Sequence, residues 1–127
     1  MTAPRRSILI VEDELMVRLM LEDMLDELGY DVAAKAGHLQ DAVTIARDGC
    51  FDAAVLDVNL NGENIAPVAT ILQDRRLPFL FATGYGRRGL PEAFRDRVTL
   101  QKPFQTDALG DALDRVLWAS DSARALP

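Results

Sequence analysis

Short apolar runs alternate with longer stretches of helical period along this sequence, and that alternation restricts the chain to repeated βα units. Ser7–Val11 (SILIV) reads as a buried strand. Leu15–Leu28 follows as a helix whose apolar stripe includes Val17, Leu21, Met24 and Leu28, and Gly29 stops it. Asp31–Ala36 is a weaker second strand and Leu39–Arg47 a second helix. Gly49 separates that helix from a third strand, Phe51–Asp57 (FDAAVLD), apolar on both faces until its final aspartate. Asn64–Gln73 is a third helix, with Pro67 suited to its first turn, where the missing N–H is not needed. Pro78–Ala82 (PFLFA) is the fourth strand, Gly84–Leu90 a glycine-rich loop, Pro91–Arg95 a short or frayed helix and Val98–Gln101 the fifth strand. Asp107–Trp118 closes the pattern, with Leu109, Ala112, Leu113, Val116 and Leu117 on one face, Thr106 as N-cap and a polar tail, Ala119–Pro127, behind it.

Five such units joined by right-handed crossovers fold most simply as an α/β domain: a doubly wound, five-stranded parallel sheet with helices on both faces. With 127 residues and no repeat or linker, one domain over 1–127 with a core from about 7 to 118 is expected. Fourteen basic residues against twenty acidic ones leave a net charge of −6, which opposes a phosphate backbone or an anionic membrane as partner. The apolar runs are far too short to span a bilayer, and no signal-peptide core follows Met1–Arg6, so a cytoplasmic protein is expected. The single cysteine, Cys50, reads as a small buried thiol, and the single histidine, His38, as a helix-start or surface imidazole.

Sheets of this kind bind ligands at the carboxyl ends of their strands. Glu12 and Asp13 follow strand one, Asp57 ends strand three, Thr83 and Gly84 follow strand four and Lys102 follows strand five, so all converge on one rim. Three carboxylates drawn together repel unless a cation joins them. Hard oxygen donors suit Mg²⁺ or Mn²⁺, and the backbone carbonyl of Asn59, two residues beyond Asp57, is placed to add a ligand. Two charges from the ion and one from Lys102 then balance three carboxylates, an arrangement suited to phosphoryl transfer onto an aspartate. Lysine is rare here, since twelve of the fourteen basic residues are arginine, and Lys102 stands immediately before Pro103, where a cis bond would turn the chain.

The set Glu12-Asp13, Asp57, Thr83 and Lys102-Pro103-Phe104 resembles the receiver domain of two-component response regulators over nearly the whole chain. The resemblance implies the flavodoxin-like (βα)5 sheet with strand order 2-1-3-4-5. It further implies Mg²⁺ on the acidic pair, phosphorylation of Asp57 by a sensor histidine kinase or a histidine phosphotransfer protein, and phosphoryl contacts from Thr83 and Lys102. Phe81-Ala82-Thr83-Gly84-Tyr85-Gly86 is similar to the stand-alone receivers marked by a Phe-Ala-Thr-Gly-x-Tyr stretch, with Gly86 in place of the final tyrosine. Gly84 would leave room beside the phosphoryl group and allow backbone conformations closed to other residues. Thr99 stands where the family usually has an inward-swinging aromatic, so Tyr85 or the Gly84–Gly89 loop is the expected substitute reporter. Asn61, before Gly62, replaces the common proline four residues after the phosphoacceptor and keeps good turn chemistry.

With Met1 close to the first strand and a short tail, no output module is expected in the chain, so output is expected through contact with a downstream protein. Met16, Leu19, Met20 and Leu25 of the first helix form either a kinase-docking face or a deeper contact with the sheet, and Trp118 is either packing or a dimer contact; the oligomeric state stays open. Two other classes remain beside the phosphorylatable switch. One is a haloacid-dehalogenase-like phosphatase with Asp57 as nucleophile, which would want an acid in place of Asn59; the other is a docking domain that never carries phosphate.

Overall fold

The structure is a computed structural model and describes residues 5–125. Its sheet contains β1 (Ser7–Val11), β2 (Asp31–Ala36), β3 (Ala53–Asp57), β4 (Phe79–Thr83) and β5 (Thr99–Gln101), all parallel, in the order β2-β1-β3-β4-β5. Four α-helices flank it: α1 (Leu15–Leu28), α2 (Leu39–Asp48), α3 (Ala66–Asp74) and α4 (Thr106–Ala125). The order is the one expected from the sequence.

Alternation along the central strands feeds two cores. In β1, Leu9 and Val11 join Ala42, Ala46, Val68 and Leu72 from α2 and α3. Ile8 and Ile10 point the other way, onto Leu21 and Leu25 of α1 and Leu109 and Leu113 of α4. All five residues of β3 are buried, which is why that strand reads as continuously apolar up to its acid. Each fully buried leucine or isoleucine contributes about 1.5–3 kcal/mol of transfer free energy, enough to fix register across the sheet.

Helix α1 ends where Gly29 takes φ 93°, donating its N–H to Asp26 O at 3.0 Å while Tyr30 N–H reaches Leu25 O at 2.8 Å. This is a Schellman closure, and it requires a left-handed residue. Nothing lies within 4 Å of a Cβ built there, so Gly29→Ala tests backbone strain alone. It is expected to lower stability by about 1 kcal/mol, read as a lower urea midpoint at unchanged slope.

The fourth crossover has no α-helix. Two 3₁₀ turns take its place, Gly86–Gly89 within the glycine-rich loop and Glu92–Phe94 within the stretch expected as a short helix. The second turn inserts Phe94, whose ring lies 6.0 Å from those of both Phe79 and Phe81, with the Arg97 guanidinium 5.3 Å over Phe79 and 5.6 Å over Phe94. This aromatic plug and the buried Leu90 do the burying that a helical stripe would otherwise do.

Other details depart from expectation. Helix α4 continues past Trp118 to Ala125, through residues expected as a tail, because the segment lacks glycine and proline and Asp121 is tied to Arg6 Nη2 at 2.7 Å. Thr106 is the first residue of that helix rather than the residue before it. Cys50 is exposed, not buried, since it sits in the turn leading to β3. His38 precedes α2 at the surface, as expected. The apolar residues of α1 divide, with Leu25 buried and Leu15, Met16, Leu19 and Met20 exposed. Trp118 is also exposed, so it is not core packing.

Candidate functional site

Two strand ends and two post-strand segments meet at the carboxyl edge of the sheet. Glu12 and Asp13 leave β1, Asp57 terminates β3, Thr83 terminates β4, and Lys102 leaves β5 with its N–H on Thr83 O at 2.8 Å. The carboxylates of Glu12, Asp13 and Asp57 bring ligand-competent oxygens within 4.8 Å of one another. Lys102 Nζ lies 2.7 Å from Glu12 Oε2 and 3.3 Å from Asp57 Oδ1. The Lys102–Pro103 peptide is cis.

The three acids hold different positions. Glu12 is 1% exposed, and its oxygens are engaged by Lys102 and by the Glu14 N–H at 3.1 Å. Asp13, Asp57 and Asn59 instead line a cavity of about 450 Å³ together with Thr83, Gly84 and Lys102. Asp57 Oδ1 also accepts the Asn59 N–H at 3.3 Å, and Asp13 Oδ2 accepts the Asn61 N–H at 3.1 Å. Asn59 belongs to a short antiparallel ladder, Asn59–Leu60 against Glu63–Asn64, closed by Asn61 and Gly62 at φ 53° and 80°. Both positive angles are those of a type I′ turn, the conformation that Asn-Gly favours. The sequence showed a turn there but not its reach back to Asp13.

Thr83 is buried, and its Oγ1 accepts the Tyr85 N–H at 3.0 Å. Gly89 packs directly on that hydroxyl, since a Cβ at Gly89 would come within 2.9 Å of Thr83 Oγ1. Gly84 opens on the cavity, and a Cβ there would meet nothing within 4 Å. The room expected beside Gly84 is present, whereas the positive φ expected of it is found at Gly86, at 63°. That angle explains why glycine, not tyrosine, occupies position 86. Tyr85 is 75% exposed, and Thr99 turns its hydroxyl onto Arg97 O at 2.9 Å.

Burial, reinforced by the neighbouring Glu12 charge, pushes the Asp57 carboxyl up to about 7 against the pull of Lys102. Burial alone would lower the Lys102 ammonium, but its hydrogen bond to Glu12 and the charge of Asp57 outweigh that and raise it. Burial likewise opposes the Asp13 charge, yet the hydrogen bonds it accepts, led by the Asn61 N–H, hold it below the usual range. A raised acid binds its proton more tightly in the folded state, so metal-free stability falls as pH rises from about 4 to about 7. Asp13 acts below that window and Lys102 above it. Urea titrations in EDTA should give a higher midpoint at pH 5 than at pH 7.5, and Mg²⁺ should raise the midpoint mainly at the higher pH. The donor set is entirely oxygen and more negative than its ammonium can balance, which fits a hard divalent cation such as Mg²⁺.

The response regulator receiver domain family matches residues 8–114. The transcriptional regulatory protein PdtaR of Mycobacterium tuberculosis is 35% identical over 115 residues, which cover 87% of this chain and 56% of PdtaR. The phyllosphere-induced regulator PhyR of Methylorubrum extorquens is 30% identical over 121 residues, covering 92% of this chain and 45% of PhyR. The chain thus spans about half the length of these two relatives. The solution structure of SdrG from Sphingomonas melonis Fr1 is 43% identical and superposes with a TM-score of 0.81, covering 91% of this chain and 99% of SdrG. The BeF3-activated conformation of SdrG is 44% identical, covers 87% of this chain and 95% of that one, and gives 0.74. The family match spans most of the chain and the strand order is the expected one, and this chain belongs to the response regulator receiver domain family.

Proposed function

We propose that the chain is a phosphorylation-dependent switch in which Asp57 accepts a phosphoryl group from a phosphohistidine on a sensor histidine kinase or a histidine phosphotransfer protein. The supporting observation is the placement of Asp57: it lines the cavity together with Thr83 and Gly84, 3.3 Å from Lys102 Nζ. An Asp57 oxygen attacks phosphorus, the O–P bond forms as the N–P bond breaks, and the imidazole leaves with the electron pair and gains a proton. Lys102 meets the charge on the phosphoryl oxygens, and Thr83 donates its hydroxyl once it turns from the Tyr85 N–H. Asp13, Asp57 and the Asn59 carbonyl would hold Mg²⁺, with Glu12 behind them anchoring Lys102; the ion neutralises the phosphoryl oxygens when bound.

The family is a response regulator domain, and PdtaR and PhyR are named as regulators, which favours a signalling role over the dehalogenase-like phosphatase. The output proposed is a change of protein contacts as phosphorylation shifts the population of two conformers. Leu15, Met16, Leu19 and Met20 start the helix that directly follows the acidic pair, and this exposed apolar face is where the phosphodonor protein is placed. No helix among the described residues is long and apolar enough to cross a membrane, and a cytoplasmic site of action is part of the proposal. The test is intact-mass measurement after incubation with Mg²⁺ and acetyl phosphate. A gain of one phosphoryl mass that EDTA abolishes is expected, and no gain with Mg²⁺ present favours the docking domain without phosphate instead.

A further inference from the structure

We propose that Asn61 is a positioning residue for Asp13: its backbone N–H orients the carboxylate toward the cation, and its side chain locks that N–H in place. This rests on the reading of the cavity as a Mg²⁺-dependent phosphoacceptor site. Three contacts converge on the residue. Its N–H meets Asp13 Oδ2 at 3.1 Å, its Nδ2 donates to Gly37 O at 2.9 Å, and the same nitrogen lies 3.4 Å from His38 Nδ1. Only the nitrogen end of a carboxamide can face a carbonyl oxygen, so the side chain has one productive orientation. Gly37 and His38 belong to the loop between β2 and α2, which makes Asn61 a tie between that loop, the exit of β1 and the ladder after β3.

An aspartate carboxylate turns easily about its last torsion, and a ligand that must be oriented on binding loses affinity for that reason. The Asn61 N–H removes this freedom beforehand. It is aimed at Asp13 because the turn holds φ at 53°, a left-handed angle that asparagine tolerates better than most residues. Glycine would satisfy the turn equally well, so a turn alone does not account for the side-chain grip on Gly37.

Asn61→Gly separates the two roles, since it keeps the N–H and the turn and removes the grip. Calorimetric titration of the full chain with Mg²⁺ should show a dissociation constant about tenfold weaker, in the range found when the partner of a metal ligand is removed. The Mg²⁺ concentration giving half-maximal phosphorylation by acetyl phosphate should rise by the same factor, with the rate at saturating Mg²⁺ unchanged. Amide exchange at position 61 in EDTA should quicken while the urea midpoint holds. An unaltered dissociation constant in Asn61→Gly overturns the inference and leaves the phosphoacceptor reading standing. A lower rate at saturating Mg²⁺ also overturns it, because the residue would then act on more than Asp13. Failure of the unsubstituted chain to bind Mg²⁺ overturns the underlying reading itself.

Discussion

Asp57→Asn is expected to abolish the phosphoryl mass gain altogether, and in metal-free buffer near neutral pH to leave a more stable protein than the original. Both effects come from one placement. Asp57 ends a strand whose residues are all buried, beside Glu12 and within 3.3 Å of Lys102. Asparagine keeps the shape and the acceptor oxygen for the Asn59 N–H but offers no anionic nucleophile, and the Asn61 N–H holds Asp13 in a different role. The stability gain follows from the carboxyl raised to about 7: ionising it in place opposes folding, and a neutral amide removes that opposition. The gain should be on the order of a few kcal/mol at pH 7.5 and fade toward pH 4, where Asp57 is already protonated in the folded chain. Paired urea titrations in EDTA at the two pH values measure it. Residual phosphorylation of the variant would move the acceptor elsewhere, and equal stability at pH 7.5 would mean that the acid cluster carries less strain than its burial implies.

The residues of the candidate site were legible because a parallel sheet converts chain order into geometry. Once FDAAVLD and SILIV are strands, an acid at the end of one and an acidic pair after the other must share a rim. The supporting groups were less legible, because they act through backbone. Asn61 was visible as half of an Asn-Gly turn, yet nothing local indicates that its N–H reaches Asp13, 48 positions away. Gly89 backs the Thr83 hydroxyl through the absence of a side chain, and absence has no pattern of its own. Gly86 is a comparable case: a departure from the family stretch when read in sequence, and a response to φ 63° when seen in the fold. The fourth crossover was weak in periodicity because Leu90 and Phe94 do its burying, and two residues are too few to set a period. Helix α4 outran its apolar stripe since helical propensity and the Arg6–Asp121 pair extend it where packing no longer does.

Lys102→Met should be the most destabilising substitution at the site. The lysine is the ammonium paired with Glu12, a carboxylate 1% exposed, at 2.7 Å, and it reaches Asp57 as well. Removing one partner of a buried pair leaves the other charge without compensation and costs about 3–5 kcal/mol, whereas removing both is far milder. The double variant Lys102→Met with Glu12→Gln should therefore recover much of the loss, a coupling that a packing defect would not show. The deficit should shrink at low pH as the acids take up protons, and Mg²⁺ should restore part of it at pH 7.5 by replacing the lost positive charge. Lys102→Arg keeps the charge but spreads it over a planar fork where Glu12 and Asp57 converge on a point. It should fall between the original and Lys102→Met in stability while accepting phosphate more slowly than the original, since the same ammonium that steadies Glu12 must also meet the incoming phosphoryl oxygens. A Lys102→Met chain as stable as the original would show that the pair with Glu12 contributes no net stability, and the charge balance assigned to this site would have to be redrawn.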